Sequence, residues 1–135
     1  MIYKDELKTL TMAQIDSHFP KIYSYGDNFI IRECITGIEL DKYLSEHNLT
    51  PNISSKIIEI YEAMIKVGYA RLDSAIFHIF ITPSGDLKLI DTAKAMKKRT
   101  IYPYLIISGL AELGYKKQFL DFVKVTRADI YNKWF

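Results

Sequence analysis

The sequence has a single cysteine, Cys34, in 135 residues. One thiol can neither close a disulfide within the chain nor form a metal site of several cysteines, which is typical of a reducing compartment. Long hydrophobic runs are also absent, because the longest, residues 101–111, contains Pro103 and is too short to span a bilayer. The first residues, MIYKDELK, mix acidic and basic side chains and are not typical of a signal peptide. We therefore predict a cytoplasmic protein with no membrane contact.

Glycine and net charge are scarce as well. None of the six glycines is spaced as Gly-x-Gly-x-x-Gly, so the sequence has no phosphate-binding loop of that kind. Lysine and arginine exceed aspartate and glutamate by only two, 18 against 16, which gives no global attraction for nucleic acid. A local basic cluster between Lys94 and Arg99 is more typical of a solvated loop than of a binding patch. We therefore do not predict a nucleic-acid partner.

Apolar residues make up 49% of the chain, which is enough for one substantial core, and we predict a single domain over residues 1–135. Apolar residues recur at helical spacing in several segments, of which the longest begins at Thr50-Pro51 and ends at Gly68. We expect Trp134 to be a packing anchor in the closing segment, residues 127–134. The predicted helices cover residues 2–15, 41–46, 50–68, 104–113 and 116–125.

Two hairpins are predicted between these helices. The first joins strands at residues 21–25 and 29–34 through Gly26-Asp27-Asn28, and the second joins residues 79–82 and 87–90 through Pro83 to Asp86. The predicted fold class is therefore α+β. A two-stranded hairpin leaves unpaired backbone donors at its edges, so we expect self-association or a partner strand near residues 29–35.

The second hairpin lies between two acids, with Asp73 before it and Asp91 after it. His78 follows Asp73 by five residues, and Asp91 follows His78 by thirteen. This register resembles the protein kinase superfamily, in which a His-Arg-Asp loop with an Asn five residues after its Asp precedes a hairpin and Asp-Phe-Gly. Arg71-Leu72-Asp73 stands for His-Arg-Asp here, and Asp91-Thr92-Ala93 stands for Asp-Phe-Gly.

The resemblance, which extends to short bacterial serine/threonine-kinase-like proteins, implies a reduced protein-kinase-like fold. Residues 1–35 would be a remnant of the small lobe with a two-stranded hairpin, and residues 36–135 a reduced, mostly helical large lobe containing the catalytic-loop hairpin. Asp73 would orient the attacking hydroxyl in an ATP- and Mg-dependent phosphoryl transfer, and Asp91 with His78 would hold the metal.

The segment from Glu33 to Leu40 is similar to the kinase hinge. In that family the hinge backbone meets the adenine of ATP, which implies contacts from the carbonyl of Glu33 and the amide of Ile35. Glu39 would approach the ribose. A strand, a turn and a short helix without a ligand would produce the same local pattern.

The chain also departs from the family. The glycine-rich loop and the first three strands are missing, Ala75 replaces a phosphate-contacting lysine, and Glu6 has no strand lysine as its partner. His78 replaces an asparagine oxygen with a softer nitrogen donor, which suits magnesium poorly.

These departures leave several readings open. The chain could be an active kinase, or an inactive pseudokinase that serves as a regulatory module binding a nucleotide or a protein. A small-molecule kinase of the aminoglycoside or choline type is a third reading. The acids at 73 and 91 could also be ordinary strand-end residues, and His78 a half-buried structural histidine.

Overall fold

Helices and two small antiparallel sheets alternate along the computed structural model, which describes residues 2–135. The α+β class predicted from the sequence is confirmed. A short 3-10 turn, Ile76–His78, precedes β4. The elements are α1 (Ile2–Ala13), β1 (Ile22–Tyr25), β2 (Ile30–Arg32), β3 (Ile38–Glu39), α2 (Leu40–Glu46), α3 (Pro51–Lys66), β4 (Ile79–Ile81), β5 (Leu87–Leu89), α4 (Tyr104–Glu112), α5 (Lys116–Thr126) and α6 (Ala128–Trp134).

Helix α3 supplies much of the core. It begins where the Thr50 hydroxyl accepts a hydrogen bond from the amide of Ile53 at 3.1 Å, with Pro51 in the first turn. It ends at Gly68, whose φ of 90° is a left-handed conformation that favours glycine. The helix buries one face against both the sheet and the C-terminal helices, through Ile53, Ser54, Ile57, Ile58, Ile60, Tyr61, Ala63 and Met64.

The second hairpin belongs to a three-stranded sheet in the order β3-β4-β5. The sequence predicts two strands here and a connection at residues 33–40. The structure corrects this prediction, because part of the connection forms a third strand, β3. Strand β3 pairs Ile38 with Ile81 and Glu39 with Phe80. Gly37 permits this pairing, because a Cβ at that position would lie 2.4 Å from the carbonyl oxygen of Ile81.

The first hairpin, β1 with β2, forms a separate two-stranded sheet. Its register pairs Tyr25 with Ile30 and Ile22 with Arg32, with an irregularity between Ile22 and Ser24. The strands match the predicted hairpin. Its apolar side chains remain largely exposed to solvent; these are Tyr23, Tyr25, Phe29 and Ile31.

The last three helices close the core around Trp134, which is 9% exposed. Its ring lies edge-on to Tyr61 at 5.2 Å between centroids, and Phe119 lies on another side at 6.4 Å. The predicted packing role of Trp134 is therefore confirmed. Across residues 2–135, none of the helices combines the length and the apolar character needed to cross a membrane.

Substituting Gly37→Ala should lower the free energy of unfolding by about 1–3 kcal/mol, because the new methyl group would collide with backbone rather than with a movable side chain. Urea denaturation measures the change. Gly26→Ala is the matched control, since its Cβ would meet only the ring of Phe29, which is half exposed and can turn away. Equal losses in the two variants would contradict this account of β3.

Candidate functional site

A cavity of about 380 Å³ contains the three residues on which the sequence analysis placed chemistry, Asp73, His78 and Asp91. Its walls come from the segment after α3, the segment after β5 and the start of α4. The two acids therefore line a common space. Further lining residues include Asp5, Met64, Arg71, Ser74, Phe77, Leu89, Lys94, Lys97 and Leu105.

Backbone pairing holds Asp73 at the base of this cavity. Arg71 forms an isolated parallel bridge with Thr100. The amide of Leu72 donates to the carbonyl of Thr100, and the amide of Arg71 donates to the carbonyl of Ala95, both at 2.8 Å. The chain after Asp91 thus returns beside the chain before Asp73, and the start of α4 follows at once.

The carboxylate of Asp73 is buried and bonded to backbone amides. Its Oδ1 accepts hydrogen bonds from Ser74 at 2.8 Å, from Leu105 at 3.1 Å and from Ile106 at 3.2 Å, and its Oδ2 accepts from Leu105 at 2.9 Å. Leu105 and Ile106 open α4, whose own first residues supply no capping side chain. Asp73 therefore caps α4 from 32 residues away.

Burial raises the pKa of Asp73 above its ordinary value, although the three amide donors favour the ionised form. The guanidinium of Arg71 also favours the charged carboxylate. The kinase resemblance implies that the Asp73 carboxylate orients a substrate hydroxyl. In the structure this carboxylate caps helix α4.

His78 and Asp91 form a pair at the rim. Nε2 of His78 lies 3.5 Å from Oδ2 of Asp91, and Oδ1 of Asp91 accepts a hydrogen bond from the amide of Ala93 at 3.1 Å. The amide of Ile90 donates to the carbonyl of His78 at 2.9 Å, which fixes the two segments side by side. Asp91 is exposed and His78 is half buried.

The residues present do not fit a magnesium ion of the kind that the kinase resemblance implies. Magnesium prefers several oxygen ligands in an octahedral arrangement. Both oxygens of Asp73 already accept amide hydrogen bonds and Asp5 is paired with Lys97, which leaves Asp91 beside an imidazole. Within residues 2–135, no group of three or more His, Cys, Asp or Glu side chains is arranged to hold a metal.

The residues predicted to meet adenine line a different cavity. Glu33 and Ile35 border a space of about 290 Å³ that also contacts Phe80 and Ile90. Glu33 is engaged with Lys21, whose amide donates to Oε1 at 3.2 Å. Glu39 lies in β3, pairs with Lys42 at 3.3 Å and borders neither cavity.

Arg32 connects helix α1 to the segment that carries Ile90 and Asp91. The sequence did not predict this role. Its Nη1 donates to the carbonyl of Ile90 at 2.6 Å, next to Asp91, and its Nη2 lies 3.9 Å from Oε2 of Glu6 in α1. No local pattern singles out Arg32, because it follows three consecutive apolar residues and its contact with Ile90 spans 58 residues of sequence.

The comparisons with known proteins supply no relative, since no family model matches the chain and no curated protein matches it. The geometry of the two cavities therefore carries the functional argument.

Substituting Asp73→Ala should lower the free energy of unfolding by about 1–3 kcal/mol, because three backbone amides lose their acceptor. Asp73→Asn keeps one acceptor oxygen and should lose less. Chemical denaturation measures both changes. The exposed carboxylate of Asp91 gives the control, and Asp91→Ala should stay within about 0.5 kcal/mol of wild type. An Asp73→Ala protein as stable as wild type would refute the capping role.

Proposed function

We propose that the chain is a kinase-related module that binds a nucleotide in the cavities around Asp91 and Ile90 without fast phosphoryl transfer. The single observation that carries this proposal is the capture of the Asp73 carboxylate by the first amides of α4. A general base needs an acceptor oxygen that can reach the substrate hydroxyl at hydrogen-bond distance. An oxygen that accepts from backbone amides serves this purpose poorly.

Three basic and three acidic side chains line the larger cavity, and among the basic ones Arg71 is the candidate for an anionic ligand. Arg71 is half buried, lines the cavity and forms no ion pair among the described residues. Lys97 is paired with Asp5 at 2.8 Å, and Lys94 is exposed at the same wall. A guanidinium binds phosphate oxygens through paired hydrogen bonds, so Arg71 is the residue best placed to hold a phosphate.

The smaller cavity provides the neighbouring space that a nucleoside would need. Ile90 borders it, and the next residue along the chain, Asp91, borders the larger cavity. Phe80 and Ile35 give the smaller cavity apolar walls. A base placed there and phosphates placed near Arg71 would use both cavities.

Serine/threonine kinase-like phosphoryl transfer is the second candidate. Its specific support is that Asp73, His78 and Asp91 line one cavity. Oδ2 of Asp73 accepts a single hydrogen bond, which leaves it one further lone pair. Activity by this route would require that lone pair to reach the acceptor hydroxyl.

ATP should bind the wild-type protein in calorimetric titrations, both with magnesium and with a chelator present, because the site offers magnesium few ligands. Arg71→Gln should weaken binding at least tenfold, equivalent to about 1.4 kcal/mol. Arg99→Gln removes an exposed guanidinium outside the cavity and is the matched control.

Absence of ATP binding at millimolar concentration would refute the nucleotide proposal. Magnesium-dependent ATP turnover that disappears in Asp73→Asn would instead establish the second candidate. Turnover indistinguishable between wild type and Asp73→Asn would exclude phosphoryl transfer through this carboxylate.

The first hairpin is the proposed surface for a protein partner, and a second copy of this chain is the simplest one. Two-stranded sheets gain stability when further strands or apolar surface cover them. Strands β1 and β2 join no other strand of residues 2–135, and their exposed Tyr25 and Ile31 are apolar.

Association through the hairpin should appear as a concentration-dependent dimer in size-exclusion chromatography with light scattering. Ile31→Glu should shift the protein to monomer, because a charge would be buried in the contact. Val125→Glu is the control, since Val125 is 82% exposed on α5. A wild-type protein that remains monomeric at high concentration would count against this surface.

A further inference from the structure

A second depression, of about 520 Å³, lies between α2 and α4. The 3-10 turn Ile76–His78 contributes to its lining through Ile76 and Phe77. Gly109 permits the close approach of α4 to this turn, because a Cβ there would lie 2.4 Å from Cγ2 of Ile76. The groove shares Ala75, Phe77 and Leu105 with the cavity of Asp73, and its other lining residues are separate.

Asp41 gives this groove an uncompensated charge. Its Oδ1 is enclosed by protein atoms and receives no hydrogen bond from the described residues. A carboxylate oxygen removed from water without a donor costs free energy, and a cation at the same carboxylate reduces that cost. Asp41 as a whole is only half buried, and it lines the groove.

The charges around Asp41 do not neutralise it. Lys42 is the lysine on the groove wall, and its ammonium lies 3.3 Å from Glu39 instead. Glu112 adds a second carboxylate from α4 and forms no ion pair among residues 2–135. The groove therefore presents two acids to whatever enters it.

Apolar surface accompanies these acids. Phe77 is 49% exposed and Leu105 is 41% exposed, and both border the groove. A guanidinium satisfies carboxylates through paired hydrogen bonds and also stacks on aromatic rings. An arginine beside an apolar residue in an extended peptide matches both features.

We propose that the groove between α2 and α4 binds a basic peptide segment of a partner protein. An arginine of that segment meets Asp41 and Glu112, and an adjacent apolar side chain covers Phe77 and Leu105. Binding here does not require a nucleotide in the other cavities, so this proposal is independent of the proposed function.

A fluorescein-labelled peptide of sequence Leu-Arg-Arg-Leu, with blocked ends, tests the groove by fluorescence anisotropy. It should bind, and the uncharged Leu-Gln-Gln-Leu peptide should bind at least tenfold more weakly. Asp41→Asn and Glu112→Gln should each weaken binding of the arginine peptide severalfold, and added salt should weaken it further. Asp121→Asn, which removes an exposed carboxylate on α5, should leave the affinity unchanged.

The unfolding midpoint of each variant distinguishes lost binding from lost structure. Asp41 has no bonded partner to lose, so Asp41→Asn should unfold at the wild-type urea concentration. Equal affinity for the two peptides, no binding of the arginine peptide, or wild-type binding by both Asp41→Asn and Glu112→Gln would each overturn the proposal.

Discussion

The bonds between the Asp73 carboxylate and the first amides of α4 join the two halves of this molecule. Helix α4 contributes Ile106, Ile107 and Leu110 to the core, yet its N-terminus has no capping side chain of its own. The acceptor comes from the loop after α3, held in place by backbone pairing with residues 95–100. One buried carboxylate thus connects the loop after α3 to helix α4. The same carboxylate lines the cavity that Asp91 shares. Its structural role limits its chemical role, because amide donors compete for the same lone pairs.

A second set of contacts fixes α1 against the same cavity. The hydroxyl of Tyr69 donates to the carbonyl of Thr9 at 2.7 Å, and the hydroxyls of Thr9 and Thr92 are 2.8 Å apart. Burial raises the pKa of Tyr69 to about 12, so its hydroxyl remains a donor at every physiological pH. With Arg32 reaching both Glu6 and Ile90, these bonds tie α1 to the segment that carries Asp91. The wall of the cavity therefore depends on residues far apart in sequence.

The local sequence predicts the helices and strands of this fold well. It predicts less well which of them pair or pack together. The apolar stripe after Thr50 and the turn residues of both hairpins are local, and they place α3 and four strands within a few residues of their observed bounds. Strand β3 has only two residues and forms by pairing with β4. A local sequence pattern therefore does not predict it. Asp73 and Asp91 lie on either side of the second hairpin in the sequence, and both line one cavity. The capping of α4 could not be predicted from a local pattern, because it depends on where a distant helix begins.

Two aspartates of this chain illustrate what decides whether a carboxylate is available to a ligand. Asp73 is the more deeply buried, and its oxygens accept four hydrogen bonds from three amides, so the protein itself satisfies its charge. Asp41 is only half buried, and its enclosed Oδ1 has no donor among the described residues. Residue type and spacing distinguish Asp73 in the sequence. The missing hydrogen-bond donor distinguishes Asp41 in the structure. An unsatisfied carboxylate gains the most free energy from an incoming cation. We therefore expect Asp41, in the groove between α2 and α4, to stabilise a basic partner more than Asp73 does.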